Sequence, residues 1–156
     1  MKKILSILPV SIAGTLIVKG FSSGFKANSC FVLEKDVREL TQNDIERFRP
    51  DIIFGYDYSY MHNKELCDYI LSNKGAFKLV HYFADEPDGK YAYTEFPQLY
   101  EDYKKIGAYS FLWDKEFCAQ LPDSEYLPLA VNYKAYKVSE LGEYDYDISF
   151  VGRPLT

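Results

Sequence analysis

Apolar residues in this chain come in short uninterrupted runs, each followed by a polar stretch in which apolar positions return every third or fourth residue. Ile4 to Leu8 is the first run, and Pro9 to Gly14 turns the chain out of it. A helix is predicted over 15–25, with Gly20 and Gly24 four apart. Residues 30–33 form a second short run, and Thr41-Gln42-Asn43-Asp44 has capping-box spacing for a helix carrying Ile45 and Phe48. Arg49-Pro50 ends that helix.

Asp51-Ile52-Ile53-Phe54-Gly55 reads as a third strand, apolar enough to be covered on both faces, as central parallel strands are. Leu66, Tyr69 and Ile70 share one face of a helix over 63–73, which Lys74-Gly75 stops. Residues 77–84 form strand four, apolar except for His81. Thr94 caps a helix in which Phe96, Leu99, Tyr100, Tyr103 and Ile106 recur at helical spacing. Strand five over 108–112, a short helix over 114–121 and strand six over 126–131 complete the series. Strands alternating with helices at these spacings imply parallel pairing through right-handed crossovers. The expected fold is an α/β, three-layer Rossmann-like domain with a mostly parallel sheet of about six strands, covering residues 1–138. Residues 139–156, with the run Asp147-Ile148-Ser149-Phe150-Val151-Gly152, are expected to be a linker and the first strand of a further, donor-binding domain.

Composition narrows the function. A net charge of −5 argues against a nucleic-acid partner, since phosphate backbones are bound by clustered Lys and Arg. Cys30, Cys67 and Cys118 are odd in number and widely spaced, so neither a disulfide framework nor a zinc site is expected, and a reduced, cytoplasmic setting fits. Lys2-Lys3 and the following apolar run imitate a secretory signal. Pro9, Ser11, Gly14 and Thr15 interrupt that run, and it is too short to span a bilayer, so it reads as the first strand, loop and helix.

In an open parallel sheet, ligands bind beyond the carboxyl ends of the strands. That rule selects Ser11 to Thr15 after strand one, Tyr56 to Tyr60 after strand three, Asp85 to Gly89 after strand four, and Trp113-Asp114 after strand five. The first loop lacks G-x-G-x-x-G and lacks the lysine of a P-loop, so neither a nicotinamide dinucleotide nor ATP is implied. Gly14 either presents backbone amides to a phosphate or only makes the turn. His81 is read as a core histidine or as a general base, and Asp85-Glu86-Pro87 as a cleft element or a solvated turn. Asp145-Tyr146-Asp147 spells D-x-D, weak support for a metal, and no metal site is assigned.

Three segments together resemble one family. Tyr126-Leu127-Pro128-Leu129-Ala130-Val131-Asn132, followed by Tyr136, is similar to the passage that closes the N-terminal domain of GT-B glycosyltransferases. Residues 147–153 resemble the first strand and glycine loop of their donor domain. His81-Tyr82-Phe83-Ala84-Asp85-Glu86-Pro87 resembles a strand end of the CgeB-like branch. The resemblance implies sugar transfer from a nucleotide-sugar donor to an acceptor of unknown identity, without a cofactor. It places Ser11, Gly14 and Thr15 on the donor-phosphate side and Tyr56, Asp57 and Glu86 on the acceptor side, with His81 or Asp85 as the base if transfer inverts the anomeric centre; a retaining transfer would need no such base. Most of the donor domain is absent from this sequence, so the fragment alone is expected to be inactive. The alternatives are a non-enzymatic module binding a small anion or a protein, and, less well matched, a phosphate-relay receiver with Asp57 as its carboxylate.

Overall fold

A computed structural model describes residues 1–84, 96–119 and 121–128, with the side chains at 96–98 and 100 excepted. Eleven elements alternate through them: β1 (Lys3–Leu8), α1 (Ile12–Ala27), β2 (Phe31–Asp36), α2 (Gln42–Phe48), β3 (Ile52–Tyr56), α3 (Lys64–Ser72), β4 (Lys78–Phe83), α4 (Phe96–Ile106), β5 (Tyr109–Leu112), α5 (Lys115–Cys118) and β6 (Ser124–Tyr126). The strands form one sheet in the order β2-β1-β3-β4-β5-β6, and every pairing is parallel. With helices on both faces, the α/β three-layer arrangement read from the sequence is present.

Strand order explains the layering. The step from β1 to β2 runs one way along the sheet, and the steps from β2 through β6 run the other. Right-handed crossovers therefore put α1 on one face and the later helices on the opposite face. The core divides accordingly. Leu5, Ile7, Ile53, Leu79 and Phe83 pack with Ile45 of α2, Leu66 and Ile70 of α3, Tyr103 and Ile106 of α4, and Phe117 of α5. Ile4, Phe54 and Tyr82 point the other way, onto Val18, Phe21 and Phe25 of α1. Strand alternation thus feeds both cores. Each fully buried Leu or Ile contributes about 1.5–3 kcal/mol by leaving water.

Several boundaries differ from the sequence reading: β2 runs on to Asp36, past the expected 33, α5 ends at Cys118 instead of 121, and β6 ends at Tyr126. α1 starts at Ile12 instead of residue 15, because Ser11 is extended (φ −71°, ψ 140°) and its Oγ caps the helix by accepting the Gly14 amide. Gly14 thus belongs to the first helical turn, not to the loop. β6 starts at Ser124, ahead of the expected 126, where Ser124 and Glu125 register with Ser110 and Phe111. The Ser124 hydroxyl also ties the strand to the end of α5 by donating to the carbonyls of Cys118 and Leu121. The Thr41–Asp44 capping box forms as read. Thr94, Asp85, Glu86, the D-x-D carboxylates and the expected second-domain strand lie outside the described residues.

Candidate functional site

With β1 and β3 adjacent and their crossovers leaving in opposite senses, the topological switch point lies between their carboxyl ends. The amino terminus of α1 sits there. Its loop is held from three directions. Ser11 Oγ accepts the Gly14 amide at 3.1 Å, the Thr15 amide donates to the Ser11 carbonyl at 2.9 Å, and Thr15 Oγ1 donates to the Pro9 carbonyl at 2.9 Å. Tyr56, at the end of β3, closes the fourth side. A Cβ on Gly14 would lie 2.7 Å from Tyr56 Cε1, from Pro9 Cγ and from Ser11 Oγ. Glycine is therefore demanded here by close packing of an aromatic ring against a helix end.

Ser11, Gly14, Thr15 and Tyr56 are thus brought together, but the two hydroxyls serve the loop itself. The first two amides of α1, on Ile12 and Ala13, have no intrahelical acceptor and no other partner among the described residues. Both residues are exposed, Ile12 by 81%. These two N–H groups, at the positive end of a 16-residue helix, are what the switch point offers an anion.

Asp57 follows Tyr56 in a left-handed conformation (φ 43°). Its amide donates to the Tyr82 carbonyl at 3.0 Å, and its Oδ1 accepts the Ala84 amide at 3.1 Å. The carboxylate is a latch between the ends of β3 and β4, placed where the chain enters Asp85. Beside it Tyr82 is fully buried, and its hydroxyl is pushed up to about 12 by burial, then by the charges of Asp57 and Tyr126. Further along the edge, Trp113 is 38% exposed, and Asp114 caps α5 by accepting the Glu116 amide at 2.7 Å.

His81 is elsewhere. It lies in mid-strand, in register with Gly55 and Ser110, on the face covered by four helices, and is fully buried. The Tyr103, Tyr60 and Phe83 ring centroids lie 4.8, 5.1 and 6.1 Å from its own. Gly55 admits it: a Cβ there would be 3.0 Å from His81 Nε2. Burial pulls its pKa down to about 3, so the imidazole is neutral at physiological pH. Neither ring nitrogen has a hydrogen-bond partner among the described residues, nor does the Tyr60 hydroxyl. Tyr103 OH shares a 2.6 Å hydrogen bond with Ser110 Oγ, and burial pushes both Tyr60 and Tyr103 upward.

Sequence reasoning did not single out Tyr60, Tyr103, Ser110 or Gly55 as a unit. Gly55 inside an apolar run was the available signal, since a strand glycine marks close approach of another group. Among the described residues no cluster of three or more His, Cys, Asp or Glu could hold a metal, and no helix is long and apolar enough to cross a membrane. No family model matches the chain, and no curated protein matches its sequence.

Proposed function

We propose that this chain is the acceptor-side domain of a sugar transferase whose nucleotide-activated donor rests its phosphates on the amino terminus of α1. The observation that carries the reading is the pair of amides on the exposed residues Ile12 and Ala13, without a hydrogen-bond partner among the described residues, at the β1/β3 switch point braced by Ser11, Thr15 and Tyr56. In the transfer step an acceptor hydroxyl attacks the anomeric carbon, and the bond to the nucleoside diphosphate breaks. Negative charge grows on the leaving phosphate, where helix amides stabilise it. The proton of the attacking hydroxyl needs a base. His81 is sealed beneath Tyr60 and Tyr103, so Asp85, the residue after the Ala84 amide latched by Asp57, takes that role in this proposal. Tyr56, Asp57 and Glu86 border the acceptor. The nucleoside is gripped by a second domain, and transfer requires that domain. The free thiols Cys30, Cys67 and Cys118 support a cytoplasmic setting.

One observation favours the second reading, a non-enzymatic anion-binding module. The Ser11 and Thr15 hydroxyls are both engaged within their own loop, so the edge offers backbone donors alone. Calorimetric titration with uridine, guanosine and thymidine diphosphate sugars, and with inorganic phosphate, separates the two. The transferase reading predicts that a sugar diphosphate binds well ahead of phosphate; equal binding supports the module. In both, Ile12→Pro weakens binding about tenfold by removing one donor, the worth of a hydrogen bond to a charged group. Proline suits this first helical position, which follows an extended residue. Absence of binding, or an unaffected Ile12→Pro variant, overturns the α1 site.

A further inference from the structure

At the opposite end of the strands, a groove of about 470 Å³ opens at the amino-terminal ends of β4 and β5, with Lys74, Lys78, Val80, Tyr109, Phe111 and Asp123 in its walls. α1 is the one described helix on that face of the sheet, and it reaches as far as β4 through Phe21 and Tyr82, whose ring centroids lie 4.9 Å apart. Val80 and Phe111 are only partly buried, and Tyr109 is 36% exposed. Val80 and Tyr109 are in register, and the Tyr109 and Phe111 rings meet edge to face with centroids 5.4 Å apart. The floor of the groove is thus apolar and largely aromatic.

Charge is divided between the two sides of this floor. Lys74 and Lys78, both exposed, stand on the β4 side and have no ion-pair partner among the described residues. Asp123, the single carboxylate among the lining residues, stands on the β6 side, one residue ahead of Ser124, which registers with Ser110. With β5 between them, the two sides are about 10 Å apart, two strand spacings. Nearby Glu125 is engaged by the Tyr109 hydroxyl. The volume falls in the class of small-molecule sites, roughly 300–1,000 Å³, which join an apolar lining to a few polar groups that orient the ligand. Two unpaired ammonium groups favour an anion, and the carboxylate on the far side repels a second one. We propose that this groove binds a small aromatic acid with a single carboxylate, its ring against Val80, Tyr109 and Phe111 and its carboxylate on Lys74 and Lys78. The site lies a strand length, about 20 Å, from the carboxyl edge where α1 begins, and it stands or falls independently of the α1 site.

Backbone N–H shifts of the isotopically labelled full chain, followed during titration with cinnamate and with its uncharged amide, cinnamamide, test the site. Saturable changes are expected at Lys78, Val80, Tyr109 and Phe111 and not at Ile12 or Ala13. Cinnamate is expected to bind about tenfold tighter than cinnamamide, the worth of a hydrogen bond to a charged group. Lys74→Gln with Lys78→Gln should bring cinnamate down to the affinity of cinnamamide and leave cinnamamide binding unchanged within about twofold. Asp123→Asn should strengthen cinnamate binding about threefold by removing the opposing charge, a gain that a disturbed fold cannot produce. Asparagine also suits the left-handed backbone at this position (φ 53°). Absence of changes in the groove, equal binding of the two probes, cinnamate affinity unmoved by the lysine exchange, or no gain in Asp123→Asn overturns the proposal. Shifts at the same residues that follow protein concentration without either probe also overturn it, by assigning the groove to a second copy of the chain.

Discussion

Two glycines organise two different regions of this molecule. Gly55, inside β3, yields its side-chain space to His81, and a titratable ring disappears between Tyr60, Tyr103 and Phe83. Gly14, in the first turn of α1, yields its space to Tyr56, and the ring braces a helix end whose first two residues are exposed and whose first two amides have no partner among the described residues. The same device buries chemistry in one place and presents it in the other. A polar residue in this fold is thus informative about function only once its layer is known: His81 belongs to the packed interior, while Ile12 and Ala13, apolar in sequence, carry the exposed donors.

The largest expected effect is in the interior. Tyr103→Ala removes a buried ring that touches His81, Phe83 and Tyr58 and leaves the Ser110 hydroxyl unpaired, so a loss of about 3–5 kcal/mol is expected in denaturant unfolding. Retained stability would show the rings around His81 to be loosely packed. Acid titration comes next. His81 stays neutral in the folded chain down to about pH 3, whereas the unfolded chain takes up its proton near the ordinary histidine value of 6.5. Between those values the unfolded state binds more protons, so this contribution is fully present above pH 6.5 and is lost as pH falls toward 3. The slope approaches about 1.4 kcal/mol per pH unit. His81→Phe should flatten the stability profile between pH 6 and 4; an unchanged slope would place the acid sensitivity in other groups.

Gly14→Ala meets neighbours at 2.7 Å on three sides and should cost about 2 kcal/mol, more than Gly55→Ala, whose nearest neighbour is at 3.0 Å. The reverse order in thermal unfolding would mean that Tyr56 yields more readily than His81. The smallest effect expected is Asp57→Ala, about 1 kcal/mol, from loss of the acceptor of the Ala84 amide. Asp57→Asn, which retains an oxygen acceptor, should recover most of it.

Element order and fold class were legible because the buried strands are continuous apolar runs and the helices between them carry a 3.6-residue period. Strand order was not, since periodicity within an element does not record which way a crossover steps. The start of α1 was misread because Ser11-Ile12-Ala13-Gly14 lacks the acidic partner that made the Thr41–Asp44 box visible. Ser11, Gly14, Thr15 and Tyr56 do lie together at the strand ends that the switch-point rule selects, although the rule could not tell that the hydroxyls would turn inward to the loop. Nor could it place His81, because β4 is covered on both faces and alternation there does not distinguish inside from outside. Asp85 and Glu86, expected on the acceptor side, lie outside the described residues, and their expected roles come from the sequence.

In the proposed transferase, the amides of Ile12 and Ala13 receive the phosphates of a nucleotide sugar. Backbone amide shifts of the isotopically labelled full chain, followed while uridine diphosphate and then inorganic phosphate are titrated, address it directly. The account predicts that the largest changes fall on Ile12, Ala13 and Gly14, with smaller ones at Asp57 and Ala84, and that the diphosphate saturates at lower concentration. Unmoved Ile12 and Ala13 resonances, or changes confined to the groove around Lys74 and Tyr109, would contradict it.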